Sequence, residues 1–246
     1  CNLLINNAGG GAVDIAHSLN LAKKYTDLHF RGNYWKVEEP FASTLTRNIY
    51  SIPTETTFPF LDPHFIVRSD GTREIGPSAA LVFSPHAYKG LSESTAKFVK
   101  KIAERPITPK IKLITNRKFQ SMVWREWRIT ISKKALSQKI KRFIPNIKQT
   151  MLKTRGLPGV RNQLIDEKGF ILEPIIIESS NTIHLLNYNS PGATGAPAFS
   201  AHVVSQIQEK GHFDNLIKQK SQKHNRLWNF ENAKDYGKDK IKFQPK

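Results

Sequence analysis

Cysteine is almost missing from this sequence: Cys1 is the only one in 246 residues. A single thiol can form no intrachain disulfide and no thiolate metal cage. Disulfide-stapled scaffolds and zinc ribbons are therefore excluded, no metal site is expected, and a reducing, cytoplasmic setting is the expectation. No apolar run approaches the roughly 20 residues that a membrane-spanning helix requires. No basic-then-apolar leader of the secretory type opens the chain. The dinucleotide fingerprint G-x-G-x-x-G is absent as well. The first residue is Cys1 and not Met, which leads us to expect that an upstream segment is missing. Carboxylates are scarce: 20 Asp and Glu face 38 Lys and Arg, for a formal charge of +18.

What is present is enough for a real core, since 39% of the residues are hydrophobic. The positive charge is concentrated. Between Lys97 and Arg155 there are 18 Lys and Arg against only Glu104 and Glu126, and from Glu209 to Lys246 there are 10 basic residues against 5 acidic. Such a face draws anions: nucleic acid, acidic lipid headgroups or small anionic substrates. It is equally consistent with a solvated surface. Trp124 and Trp127, interleaved with Arg125 and Arg128, suit a base-stacking surface. The block carries no helix-turn-helix, zinc-finger or RNP signature, which argues against nucleic acid.

Periodicity places the main elements. Asn2–Asn6 reads as the end of a buried strand, Asn7-Ala-Gly-Gly-Gly11 as a turn, and Val13–Lys24 as a helix with Ile15, Leu19 and Ala22 at helical spacing. Short β-type runs follow at 32–37, 48–52, 64–68 and 79–83. Ser69-Asp-Gly-Thr72 is a hairpin turn, because Asp-Gly tolerates positive φ. Helices are expected over 94–104, over 132–143 with Ser132 as its cap, and over 198–208. Strands are expected over 171–177 and 182–186.

Two turns carry the chemistry. Ala8, Gly9 and Gly10 follow an apolar strand, and Asn189-Ser-Pro-Gly-Ala-Thr-Gly-Ala196 precedes the last helix. Glycine lets the backbone approach a ligand, and free N–H groups at a helix start suit an anion. Each turn alone is equally an ordinary strand-to-helix connection.

Together the turns, with the sheet region between them, resemble the D-amino-acid-oxidase-like flavoproteins. Within these the chain is similar to the L-2-hydroxyglutarate oxidase/dehydrogenase family. The resemblance runs from about Leu4 to Ile207. It rests on Phe58-Pro-Phe-Leu61, His64-Phe65, Arg68-Ser-Asp-Gly71 and Gly76-Pro77, taken in order. Arg31-Gly-Asn-Tyr34, Arg142-Phe-Ile-Pro145, Gly159-Val-Arg161 and the stretch from Asn187 to Thr194 add to it. Departures are the missing glycine-fingerprint unit, Gly10-Gly-Ala-Val13 in place of a Leu-Tyr-Ser-Asp-like run, and Asn162 where many relatives have proline.

The resemblance implies an α/β (α+β) fold: a partial FAD-binding domain from residues 1–27 and 150–210, a substrate domain with an antiparallel sheet from 28–149, and a basic tail over 211–246. It implies FAD held by Ala8, Gly9, Gly10, Pro191, Gly192, Ala193 and Thr194, with weak binding by this chain alone, and oxidation of a 2-hydroxy acid by hydride transfer to the flavin. The implied substrate is a small dicarboxylate, L-2-hydroxyglutarate going to 2-oxoglutarate. Arg161 and Arg68 are the candidate carboxylate clamps, His64 the candidate base and Tyr34 a pocket residue. Each has a plainer reading: a surface ion pair for the arginines, a packed core residue for His64 and Tyr34. The alternatives are an amine, amino-acid or glycerol-phosphate enzyme of the same superfamily, or a basic nucleic-acid- or membrane-binding module. Peripheral membrane docking with a quinone acceptor is compatible with the family and with the basic block.

Overall fold

A computed structural model of the chain describes residues 2–52, 58, 60, 62–89, 95–188, 192–213 and 243–244. Pro191, and Pro59 and Leu61 of the Phe58–Leu61 motif, lie outside the described residues. In chain order the strands are β1 (Leu4–Asn6), β2 (Thr26–Gly32), β3 (Trp35–Val37), β4 (His64–Val67), β5 (Arg73–Gly76) and β6 (Ala80–Val82). After these come β7 (Leu152–Arg155), β8 (Gly159–Asp166), β9 (Gly169–Phe170), β10 (Ile175–Ser179), β11 (Thr182–Leu186) and β12 (Phe243–Gln244). The helices are α1 (Ala12–Ser18), α2 (Thr95–Ala103), α3 (Thr108–Ile114), α4 (Arg117–Ile131), α5 (Lys133–Ile140) and α6 (Gly192–Glu209). The architecture is mixed α/β with several antiparallel pairings, as the sequence led us to expect.

The chain divides into two compact units, Lys23–Phe170 and the combination of Cys1–Ala22 with Ile171–Lys246. The division falls at 22/23 and 170/171, where 27/28 and 149/150 were expected. The cause is β8: it pairs antiparallel with β2 along its whole length, from Thr26 opposite Ile165 to Gly32 opposite Gly159. Residues 150–170 thus belong to the sheet of the inserted unit. Of the expected basic tail, Phe243–Gln244 pairs with β10, and residues 214–242 lie outside the described residues.

Unit 23–170 holds two four-stranded sheets, β6-β2-β8-β9 and β4-β5-β3-β7. The β4-β5 hairpin closes on Arg68–Thr72, with Gly71 at φ 82° and the Arg68 N–H donating to the Thr72 carbonyl at 2.8 Å. One core joins Trp35, Phe65 and Ile75 to Ile129, Leu136 and Ile140 of α4 and α5. A second joins Leu28, Phe30 and Ile165 to Phe119 and Met122 of α4. Each of these two helices has its own N-cap. Asn116 accepts from the N–H groups of Lys118 and Phe119 at 2.9 and 3.2 Å, and Ser132 accepts from Ala135 at 3.2 Å. In the other unit the sheet order is β1-β11-β10-β12. α6 covers one face of this sheet through Val203 and Ile207, packed on Ile176, Ile183 and Leu185.

Candidate functional site

Strand alternation builds a polar face in unit 23–170. Phe65, Ile75 and Trp35 point into the α4/α5 core, so His64, Glu74, Gly76 and Lys36 fall on the opposite side of the same sheet. Just past β4, Arg68 reaches back to Glu74 through Nε at 2.9 Å and Nη2 at 2.8 Å. The Arg68 guanidinium also lies 5.0 Å from the Tyr34 ring centre. That ring fills the space a side chain at Gly76 would need, since a Cβ there would sit 2.6 Å from Tyr34 Cδ1. Gly76 stands opposite His64 in the ladder, and the His64 ring lies 4.5 Å from Tyr50. The structure thus gathers Tyr34, Arg68 and His64 on one face.

The protonation of His64 follows from its partner. Nδ1 lies 3.2 Å from the Asp62 carbonyl oxygen. A carbonyl only accepts, so Nδ1 carries the proton and Nε2 is the basic nitrogen. Burial holds the His64 pKa below the usual imidazole range, against the pull of the Asp62 carbonyl. The Asp62 carboxylate is itself held by Arg142 at 2.6 Å and Lys139 at 2.8 Å. Arg142 also bonds Ser51 Oγ at 2.7 Å. This explains Arg142 of the Arg142–Pro145 motif: it anchors the chain that leads into His64. Burial raises the Tyr34 phenol above its usual range, with Arg68 opposing.

Arg161 lies elsewhere in the unit. It stands opposite Phe30 on β8, half-buried, with its pKa lowered by burial. It lines neither of two neighbouring clefts that flank the turn Gly156-Leu-Pro-Gly159. The first, about 490 Å³, is bordered by Tyr34, Lys36, Arg68, Asp70, Glu74 and Leu157. The second, about 560 Å³, is bordered by Arg31, Asn33, Lys89, Thr130, Arg155 and Leu157, among others. Sequence reasoning missed Glu74, Arg155 and Gly156. The signal for the last was a Gly-Leu-Pro-Gly turn between two β-type runs.

Gly156 packs where no side chain fits. Its N–H donates to the Tyr34 carbonyl at 2.9 Å, and a Cβ would lie 2.8 Å from Glu74 Cδ and 2.9 Å from Tyr34 Cβ. Gly156→Ala is therefore expected to destabilise the unit by about 1–3 kcal/mol, the usual consequence of overpacking. Gly159→Ala, with nothing within 4 Å of the added carbon, serves as the control. Denaturant unfolding of both variants checks the difference, and equal midpoints would refute it.

In unit 1–22/171–246, β1 and β11 end on the same side of one sheet. β1 pairs parallel with β11, Asn6 opposite His184. Gly9–Gly11 follows β1, and α6 begins at Gly192 after β11. Asn6 joins the two strands. Its Nδ2 donates to the Ala12 carbonyl and to His184 Nδ1, both at 2.8 Å, and its Oδ1 accepts from the Ala8 N–H at 3.3 Å. Gly9 has φ 55°, with open space where a Cβ would stand. Ala8, Ala193 and Thr194 are exposed, and Gly10 and Gly192 are half-exposed. A Cβ at Gly195 would meet Tyr188 Oη at 2.7 Å, so the start of α6 is kept small.

The fold is similar to part of a solved oxidase. The L-α-glycerophosphate oxidase of Mycoplasma pneumoniae, solved with FAD bound, superposes with TM-score 0.50 at 18% identity, over 83% of this chain and 42% of that one. No family model matches the chain. It is 34% identical over 199 residues to the L-2-hydroxyglutarate dehydrogenase of Indibacter alkaliphilus, covering 79% of this chain and 48% of the relative. The mitochondrial L-2-hydroxyglutarate dehydrogenases of Dictyostelium discoideum and Homo sapiens are 29% and 26% identical over 197 and 228 residues. These two matches cover 76% and 85% of this chain, and 41% and 48% of the relatives. By sequence the chain is similar to the L-2-hydroxyglutarate dehydrogenases, and it spans about half the length of the curated relatives it matches.

Proposed function

We propose that this chain forms part of an FAD-dependent oxidoreductase that converts L-2-hydroxyglutarate to 2-oxoglutarate. The observation that carries the reading is the pairing of β1 with β11. The Gly9–Gly11 turn and helix α6 follow adjacent parallel strands beyond their carboxyl ends, which is where α/β sheets bind their ligands. Exposed backbone at Ala8 and Gly9, and the first N–H groups of the 18-residue helix α6 at Gly192–Thr194, suit the phosphates and ring edge of a flavin dinucleotide. When bound, the flavin supplies the hydride acceptor.

The polar face of unit 23–170 supplies the remaining roles. His64 takes the hydroxyl proton at Nε2. Its depressed pKa keeps it neutral, and so ready to accept, at neutral pH. Tyr34 and Arg68 line the face beside it, and Arg161 is the remaining candidate for holding the carboxylate bidentately. A membrane quinone as electron acceptor is the finer extension of this reading.

The test uses the protein that carries this chain, reconstituted with FAD under anaerobic conditions. L-2-hydroxyglutarate is expected to bleach the flavin absorbance. His64→Asn is expected to slow bleaching about 10²–10⁴-fold, the usual contribution of a positioned base, with flavin content unchanged. Bleaching by glycerol 3-phosphate or an amino acid, with L-2-hydroxyglutarate inert, would overturn the substrate assignment.

A further inference from the structure

The second cleft is lined by cations and by no carboxylate. Arg31, Lys89 and Arg155 all border it, together with Asn33 and Thr130. The neighbouring cleft differs: there Arg68 is paired with Glu74, and Asp70 adds a second acid. Arg31 is 4% exposed, held on β2 with Nη1 donating to the Ala87 carbonyl at 3.0 Å. Arg155 ends β7 opposite Trp35, and its guanidinium carbon lies 3.9 Å from the centre of the Trp35 ring. Stacking fixes the plane of the guanidinium while its in-plane N–H donors stay available at the edge. Arg155 is held below the ordinary arginine range by burial and then by the charge of Arg31. Arg31 and Arg155 thus lie within electrostatic reach of each other, and both border the cavity. An anion entering there would relieve that repulsion. About 560 Å³ lies within the range of small-molecule pockets.

We propose that Arg155, with Arg31 and Asn33, forms an anion subsite that binds the substrate carboxylate remote from the hydroxyl-bearing carbon, and so selects dicarboxylates over monocarboxylates. This rests on the 2-hydroxy-acid reading above. The placement fits it, because the Leu157-Pro158 turn borders both clefts. One face carries Tyr34 and Arg68, with His64 on the same side of the sheet, and the cation-rich cleft lies across the turn. A second anion site of this kind is what the second carboxylate of a dicarboxylate requires.

The test is calorimetric titration of the protein with glutarate, lactate and glycerol 3-phosphate at low ionic strength. Glutarate is expected to bind most tightly. Arg155→Gln should weaken glutarate at least about tenfold, on the scale of one charge-assisted hydrogen bond, and leave lactate unchanged, with an unaltered melting temperature. Arg155→Lys should recover only part of the loss, since it keeps the charge and lacks the planar fork. Undetectable glutarate binding, or glutarate binding unaffected by Arg155→Gln, overturns the proposal. Tighter binding of glycerol 3-phosphate than of glutarate overturns the carboxylate assignment. The parent reading fails separately. Arg155-dependent glutarate binding without flavin bleaching by L-2-hydroxyglutarate leaves the subsite standing and removes the flavin chemistry. Bleaching that persists while Arg155→Gln leaves the dicarboxylate-to-monocarboxylate KM ratio unchanged does the reverse.

Discussion

As the pH falls below 6.5, His29 is expected to destabilise unit 23–170 by about 1.4 kcal/mol for each pH unit. The side chain sits in the middle of β2, 1% exposed, with Nε2 4.0 Å from Asp27 Oδ2. Burial, and then the charge of Lys101, depress its pKa from 6.5 to about 3. The sign follows from which state binds the proton first. The unfolded chain protonates near 6.5 and the folded one near 3, so the stabilisation is fully present above 6.5 and lost progressively down to about 3. His64, also depressed by burial, acts in the same sense. Asp27 acts oppositely: burial raises its pKa, so its contribution is present at low pH and lost as pH rises through the folded value. The readout is therefore a difference. Denaturant unfolding of wild type and His29→Gln at pH 7, 6 and 5 should show a markedly flatter pH slope in the variant. Parallel slopes would mean that His29 is not the group responsible.

Lys101→Met is expected to remove about 3–5 kcal/mol, the typical result of breaking a buried ion pair from one side. Lys101 bonds Asp27 directly and Glu104 at 2.8 Å, with the Lys101 and Asp27 side chains 6% and 1% exposed. Lys110, wholly buried, donates to the Lys101 carbonyl and lies 3.4 Å from Glu104. Burial lowers the Lys110 pKa. For Lys101, burial also lowers it, and Asp27 and Glu104 outweigh that and raise it. Replacing Lys101 alone strands the Asp27 carboxylate in the β2 interior. Lys101→Met combined with Asp27→Leu removes both charges and should recover much of the loss. Urea unfolding of the two variants checks this. A single variant within 1 kcal/mol of wild type would show that the pair is energetically neutral.

This buried network also explains where the sequence was hard to read. β2 alternates Asp27, His29 and Arg31 with Leu28 and Phe30, and both sets are nearly inaccessible, so its two-residue period was overlooked among buried polar residues. β8 is similar, with Gln163 wholly buried beside Leu164 and Ile165. Misreading these two strands is what displaced the domain boundary. α4 was legible and overlooked. Phe119, Met122 and Ile129 recur at helical spacing behind the Asn116 cap, and Trp124, 73% exposed, with Arg125 drew attention to the opposite face. α6 starts six residues before the expected position, because Gly192 to Pro197 reads as a loop by composition. Where periodicity and turn chemistry agreed, the reading carried through. The Asp70-Gly71 hairpin, the Ser132 cap and the β11 strand are all present.

For the site, residue type and motif order led to Tyr34, His64 and Arg68, which share a face. No local pattern could reveal that Arg68 meets Glu74 or that Arg155 lies on Trp35. Both contacts depend on strand register, and register becomes visible only when β3, β5 and β7 are aligned. The expected run 48–52 forms no strand, only a bridge from Ile49 to Phe65.

The insertion of one unit within the other has a consequence for biosynthesis. Asn6 and His184 lie 178 positions apart, so β1 leaves the ribosome long before the strand it pairs with. At about 5–20 residues per second this delay is roughly 10–35 s. Unit 23–170 contains all the strands of its own two sheets, so it can finish folding within that interval. During translation the Leu4-Ile5 segment therefore waits for its partner strand β11 until the whole of the inserted unit has been made.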